Sequence, residues 1–458
     1  MRELRLLPAF AMVWAVLLWG PWVLLAAPLA WRWSRGQVVL MATASLAAVL
    51  RDVPASESYV GTVVSSGAVL EVATPGAVQT LFTDERFPDG TRVVVEHGVI
   101  TAHAPPEGWW AFAGTVKEHF RAKVAAHTGE AGQNLIPAMV LGDTALQSHS
   151  ELYADTGLSH LSAVSGSNIS IVTTTVFVAA RLLGAGPKMQ VGLALSAMAF
   201  FVGLVGPEPS VLRASVTGLV GLAAVANSAR MQPAHALCLG GIFLLLYRPD
   251  LATNFGFALS MAATAGLIAL FPALYRMLAP LRLPDVVTRA LAVAVAADIA
   301  TLPLVAAMTG RVSLVSVLAN VLVAPAAPPL TVLGLASVAL PGPVLNLVEP
   351  FAWWIHTVAV TLDGLPLTTV AAAPVTVVLV YGWIVAGLAW RPRATVGIVA
   401  VVLVAASVDS RTVLTVPTDE DIPAHPAAEK IVVLEEGPAH DYPSVTKDGI
   451  AVEYPHRR

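Results

Sequence analysis

LATNFGFALSMAATAGLIALFPALY, residues Leu251 to Tyr275, carries no Asp, Glu, Lys or Arg anywhere along its length. Roughly 20 consecutive apolar residues cross a bilayer as a helix, so this run is a membrane span. Other uncharged runs extend from Met189 to Pro207, Val312 to Val348 and Gly364 to Trp390. The whole chain of 458 residues is 56% hydrophobic and 12% charged. A soluble chain is about a quarter charged. The fold class is therefore an α-helical polytopic membrane protein, with about 10–11 spans expected from run length. Cys238 is the one cysteine, so an intrachain disulfide or thiolate metal cluster is excluded. A net charge of −4 gives no bulk electrostatic pull toward nucleic acid.

Working outward to the N-terminus, residues 1–50 hold apolar runs from Leu6 to Trp31 and from Gln37 to Leu50. Arg32 and Arg35 in the joining turn favour the cytoplasmic side. Residues 51–105 then change character. Short β-type runs alternate with turn signals at Ser66-Gly67, Pro75-Gly76, Pro88-Asp89-Gly90 and His97-Gly98. About five short strands suit a small extracytoplasmic all-β, OB-like domain, and a featureless meander fits the pattern equally. Residues 106–160 open with Trp109, Phe112, Val116, Phe120 and Val124 on one helical arc and Lys117, Glu118 and Arg121 outside it. That pattern suits an interfacial helix on membrane lipid, or a helix packed on the β domain.

Residues 161–408 form the main transmembrane part. Arg181 with Lys188, Arg230, and Arg276 with Arg282 and Arg289 place alternate loops inside; Pro207-Glu208-Pro209 falls outside. Beyond Ala290, Pro303, Pro325, Pro328-Pro329 and Pro341 are expected to break the apolar run into short pieces, tolerated at membrane depth where they line a cavity or are buried in protein. Ala394 to Ser407 reads as the last span. The acidic tail, 409–458, is expected outside and poorly ordered.

The segment NLIPAMVLGDTALQSHSELYADTGLSHLSAVSGSNISI, residues 134–171, sets Asp, His, Ser, Thr and Gly against the start of a span. Polar groups there cost stability unless they face water, a ligand or another helix. Within it, Gly157-Leu158-Ser159-His160-Leu161-Ser162-Ala163-Val164-Ser165-Gly166 resembles the signature of the ComEC-type competence proteins. Four further stretches agree in order. They are Leu141-Gly142-Asp143; Pro209-Ser210-Val211-Leu212-Arg213-Ala214; Asn254-Phe255-Gly256-Phe257-Ala258-Leu259-Ser260; and Thr301-Leu302-Pro303 with Gly310-Arg311-Val312-Ser313-Leu314 and Ala319-Asn320-Val321-Leu322-Val323-Ala324-Pro325. The resemblance implies an OB-like extracellular domain and a channel passing single-stranded DNA inward during transformation. It also implies an extracytoplasmic DNA receptor and a cytoplasmic motor ATPase as partners. The chain departs from many relatives at Ser167-Asn168, where they carry Leu-His, and at Asp298, where they carry Gln. Larger members end in a metallo-β-lactamase-like domain, and no such metal motif follows the last span here. No catalytic residue, metal or cofactor is therefore expected.

The resemblance selects the DNA-path candidates His160, Ser162, Ser165, Gly166, Ser167, Asn168, Arg213, Asp298 and Asn320. Gly142, Asp143, Gly157, Gly256, Phe257, Ser260 and Pro303 are the other motif positions. Each has a structural alternative. Small hydroxyl residues pack helices closely, Arg213 can snorkel to the surface, and Asp143 and Asp155 can cap short helices. A buried Asp298 needs a proton, water or a partner, and Arg213 is one candidate. An ion-coupled secondary transporter of a small solute is the competing function class, motivated by Asp298 and the prolines. A serine hydrolase pairing Ser165 with His160 is a third, although five residues along one helix suits that pair poorly. No GxxxxGK[ST] phosphate loop occurs, so transport energy would come from elsewhere.

Overall fold

The computed structural model describes residues 6–20, 58–66, 70–74, 78–81, 87–162, 166–226, 232–365, 368–391 and 394–399. It also describes residues 23, 45, 46, 83 and 85 and four tail strands. Most of the second N-terminal run, Arg32, Arg35, Ser165, Arg230 and most of the last expected span lie outside the described residues.

The β domain has five strands: β1 (Ser58–Ser66), β2 (Leu70–Ala73), β3 (Val78–Leu81), β4 (Arg92–Glu96) and β5 (Val99–Ala104). They form one antiparallel sheet in the order β3-β2-β1-β4-β5. Period-two alternation puts Val63, Leu70, Val72, Val93 and Val95 into a common core. The β4–β5 connection needs two left-handed residues, supplied by His97 (φ 52°) and Gly98 (φ 79°). Five short strands and a non-sequential β1–β4 pairing agree with the OB-like expectation. Among the described residues, no hydrogen-bonded pairing joins β3 to β5, so the sheet stays open.

The helices are α1 (Leu7–Trp19), α2 (Trp109–His127), α3 (Glu130–Leu141), α4 (Ser150–Asp155), α5 (Gly166–Leu182), α6 (Pro187–Val205) and α7 (Pro209–Ala226). Then follow α8 (Pro233–Tyr247), α9 (Phe255–Leu278), α10 (Asp285–Thr309), α11 (Ser316–Val323), α12 (Ala327–Ala339), α13 (Glu349–Asp363) and α14 (Pro374–Trp390). The chain is a multi-pass membrane protein. Among the described residues, four helical stretches are long and apolar enough to cross: Ser159–Leu182, Pro187–Val205, Phe255–Leu281 and Asp285–Thr309. The α11–α12 pair, bent by 54°, makes a fifth if counted as one span. Further apolar helices at Leu7–Trp19, Pro233–Tyr247 and Pro374–Gly387 are shorter. The described spans thus number fewer than the ten or eleven estimated from apolar runs.

One expectation needs correction. Pro303 does not break its helix, because α10 runs through it from Asp285 to Thr309. The break falls near Pro325 instead, while Pro328 sits in the first turn of α12, where a missing N–H costs nothing. The tail is described only at four short strands. Val-rich runs form β8 (Val413–Val416), β9 (Lys430–Val433), β10 (Ser444–Val445) and β11 (Ala451–Glu453) in one mixed sheet. Two more short strands, β6 (Arg311–Ser313) and β7 (Thr369–Ala371), pair antiparallel between the helices.

Of the packing clusters in the described helical part, three position the site. Phe120 and Val124 of α2 pack with α3, α4, α11, α12 and α13. A second cluster joins α1 to α8 and α9, with Phe257 fully buried and 5.3 Å from Trp14. A third ties α5, α6 and α7 together. The amphipathic helix α2 thus buries its C-terminal half in the helical body. Its N-terminal Trp109 and Phe112 stay exposed beside Phe200, and Trp109 Nε1 donates to the Gly203 carbonyl at 2.9 Å.

The same helix links the two domains. Lys117 Nζ donates to Asp89 Oδ2 in the β domain and to the Val205 carbonyl at the end of α6, both at 2.9 Å. Glu208, in the next loop, lies near this lysine. Burial pushes its carboxyl from the ordinary 4.5 up to about 7; Lys117 opposes the shift, while Asp89 and Glu71 add to it. Burial likewise raises Glu71, against the pull of Arg248. A carboxyl raised by folding holds its proton in the folded state where the unfolded chain has already lost it. This carboxyl's contribution to stability is therefore complete below about pH 4.5 and is lost as the pH rises to about 7. Thermal melts of the purified chain should show this decline, and Glu208→Gln should flatten most of it. An unchanged profile in the variant would assign the pH dependence to other groups.

Candidate functional site

The motif stretches, far apart in sequence, meet at two places. The first is an open cleft of about 460 Å³ between α5 and α7. Gly166, Ser167 and Ser170 line it from α5; Arg213, Ala214, Thr217 and Gly218 line it from α7. Spacings of three and four residues put each set on one helical face. Close approach of the helices depends on Gly166, where a Cβ would lie 2.9 Å from Ala214 Cβ and 3.0 Å from Arg213 Nη2. Arg213 Nε donates to Ser260 Oγ of α9 at 2.6 Å, so three motifs contact one another through a single guanidinium. Among the described residues no carboxylate pairs with Arg213.

The second meeting point surrounds Asp298, which is 6% exposed on α10. Its Oδ1 accepts from Ser316 Oγ at 3.0 Å and its Oδ2 accepts from Tyr381 OH at 3.4 Å. Asn320 Nδ2 donates to the Ser316 carbonyl at 2.9 Å and reaches the Gly157 carbonyl at 3.4 Å. Gly157 has φ +73°, and a Cβ on it would sit 2.5 Å from Ser316 Cβ. The signature loop is thereby seated directly on the α11 entry. Arg213 is not the partner of Asp298: hydroxyls on α11 and α14 take that role.

The remaining candidates divide between these places and the packing core. Asn168 turns away from the cleft, 1% exposed, and donates to the Met139 carbonyl of α3 at 2.6 Å. It braces α5 against α3 rather than lining the cleft. His160 is exposed on the 3₁₀ turn Ser159–Ser162, outside the cleft lining. Ser162 lies on that same turn, and its side chain is outside the described residues, as is Ser165. Gly142 ends α3 in the left-handed conformation with φ 69°. Asp143 does not pair with Asp155. Its Oδ2 accepts from Arg121 Nη2 at 2.7 Å and Nε at 2.9 Å, and its Oδ1 caps the Ala145 N–H at 3.1 Å. Asp155 is simply the last residue of α4. Asn254 caps α9 by accepting the Phe257 N–H at 3.0 Å. Gly256 faces Pro209 of α7, 3.7 Å from its Cγ to an added Cβ. Phe257 belongs to the α1–α8–α9 core.

Sequence reasoning missed several participants. Thr217 and Gly218 follow Arg213 by one helical turn, a spacing that could have placed them in the cleft. Ser316 and Tyr381 carried no local signal, since each partners Asp298 only across the fold. A separate cluster joins α3, α4 and α13. There His149 Nε2 lies 3.5 Å from Glu130 Oε1, its ring stands 5.3 Å from the His356 ring, and Tyr153 OH lies 3.0 Å from His356 Nδ1. Among the described residues no group of His, Cys, Asp and Glu has the arrangement needed to hold a metal ion.

Comparison with known proteins agrees with the motif geometry. The chain is similar to ComE operon protein 3 of Bacillus subtilis (strain 168), 35% identical over 136 residues. That alignment covers 29% of this chain and 18% of the relative's length. No solved structure matches. The competence protein family model matches residues 139–395, more than half of the chain, and takes in the signature turn, the cleft and the Asp298 network. The two meeting points are thus built from residues inside that match, and the chain belongs to the competence protein family.

Proposed function

We propose that this chain forms the membrane conduit through which single-stranded DNA enters the cytoplasm during natural transformation. The observation that carries the reading is the cleft between α5 and α7, where the signature helix, Arg213 and the Ser260 motif converge. A polyanion crossing a membrane needs polar contacts that replace water, yet few fixed cations, or it would not leave again. Serine and threonine hydroxyls with one arginine meet both conditions. The β domain and exposed Trp109 edge of α2 would receive the strand at the outer surface. An extracytoplasmic DNA receptor would deliver it and a cytoplasmic motor ATPase would pull it. In this reading the chain performs no catalysis.

Deleting the chain from a transformable host should abolish entry of labelled DNA into the cytosol while leaving surface binding of the DNA in place. Complementation with the intact chain should restore entry. If labelled DNA still reaches the cytosol in the deletion strain, the proposal fails.

A further inference from the structure

We infer that Arg213, oriented by Ser260, is a single-phosphodiester station that holds the backbone of a DNA strand without reading its bases. The inference rests on the conduit reading for the identity of its ligand.

The lining supplies the argument. Arg213 is the one charged group among Gly166, Ser167, Ser170, Arg213, Ala214, Thr217 and Gly218. None of the seven is aromatic, so bases have no ring to stack on. None is Asn, Gln, Asp or Glu, so the side chains that make bidentate contacts to adenine, or accept from cytosine, are missing. Arginine can fork to guanine through its Nη edge, but no ring in this lining holds a base against that edge, and the Nε is taken by Ser260 Oγ at 2.6 Å. That bond fixes the guanidinium plane and leaves the paired Nη edge for two parallel bonds to phosphate oxygens. Gly166 beside Nη2 leaves room for an approaching phosphate, because even one added methyl there would stand 3.0 Å from that nitrogen. The hydroxyls of Ser170 and Thr217 donate to the Gly166 and Arg213 carbonyls, which turns their lone pairs rather than their protons outward. With their protons committed, these two hydroxyls offer the phosphate no donor and add no second anchor. Ser260 acts through Arg213 and is a positioning residue.

One charge and no stacking give weak, sequence-blind, salt-sensitive binding. The test uses the full chain in lipid nanodiscs with fluorescent oligo-dT and oligo-dA of equal length, with Kd measured across a salt series. The two oligonucleotides should bind equally. Arg213→Gln should weaken both alike and reduce the salt slope by about 0.7, the share of one phosphate on a single strand. Arg213→Lys should keep the slope but lose affinity, because a point charge replaces the fork. Ser260→Ala should weaken binding by up to about tenfold with the slope intact, as expected for one charge-assisted hydrogen bond misplaced. Ser260→Thr should recover the affinity. A strand with an uncharged methylphosphonate backbone should not distinguish wild type from Arg213→Gln.

Unchanged slope and affinity in Arg213→Gln would overturn the station, as would a loss confined to one base composition. Should Arg213→Gln fail to purify as a monodisperse protein, Arg213→Lys and Ser260→Ala carry the decision, since both keep the charge of the cleft. Normal binding in both would overturn the station. The outcomes separate from the conduit reading. Altered slopes with DNA entry independent of the chain would leave the station and remove the conduit; unaltered slopes with entry still dependent on it would do the reverse.

Discussion

Gly157→Ala is expected to destabilise the chain by about 2–5 kcal/mol, combining a left-handed backbone cost with overpacking. Gly157 stands at φ +73°, where a Cβ is disfavoured whatever surrounds it. Here the surroundings are also closed. The added Cβ would lie 2.5 Å from Ser316 Cβ and 3.0 Å from its Cα, and a backbone atom cannot rotate aside. Relief would require the signature turn to lift off α11. The Asn320 contact to the Gly157 carbonyl would then fail. Ser316→Gly in the same background removes the side chain in the way but also the donor to Asp298, so the difference between the double variant and Ser316→Gly alone, rather than wild type, isolates the backbone cost. A thermal shift in detergent or nanodiscs across wild type, Gly157→Ala, Ser316→Gly and the double variant measures both shares. A Gly157→Ala protein melting with wild type would mean that the signature turn does not rest on α11.

The same comparison shows what local sequence carries and what it does not. Membrane class, the five strands with their turns, and α2 were legible because each depends on period and punctuation. His97-Gly98 makes the β4–β5 turn, and the burial of Val63, Val93 and Val95 follows alternation. Gly166, Ser167 and Arg213, which the motifs select, share one cleft. Contacts set by tertiary packing were not legible. Nothing adjacent to Asp298 in the chain points to Tyr381, 83 residues away on α14. Arg213, the obvious opposite charge, is held by a serine instead. Asn168 shows a related limit. A polar residue beside a hydroxyl-rich motif suggested a lining position, yet its amide satisfies a carbonyl of α3. A carbonyl three residues before a left-handed glycine lies where helix hydrogen bonding is giving out, so a neighbouring side-chain donor is useful there. Proline was misread for another reason. Its missing N–H costs one bond, which α10 tolerates at Pro303 when the helix on both sides is packed.

Arg121→Ala should cost about 2–4 kcal/mol, toward the lower side of what breaking a fully buried pair costs, since water reaches part of the arginine. Asp143 is 6% exposed and Arg121 34% exposed on their side chains. The carboxylate has no access to solvent of its own, so deleting the guanidinium leaves a charge that must be desolvated without compensation. Replacing Asp143 by Asn in the Arg121→Ala background removes that charge while keeping an oxygen for the Ala145 N–H. The double variant Arg121→Ala/Asp143→Asn is therefore expected to be more stable than Arg121→Ala alone, an inversion that simple loss of contacts does not produce. In the wild-type background Asp143→Asn should be mildly destabilising, because a charge-assisted bidentate bond becomes a neutral one. Equilibrium or thermal unfolding of the three variants decides the matter. If Asp143→Asn lowers stability further when Arg121 is absent, the buried charge is not what holds α2 to the loop after α3. The packing of Phe120 and Val124 in the main core, with the Lys117 and Lys123 bonds to backbone carbonyls, would then hold α2 in place. If the inversion appears, the Leu141-Gly142-Asp143 motif has a physical meaning. Its glycine ends α3, and its aspartate fastens to α2, the helix that also carries Lys117 and the β domain.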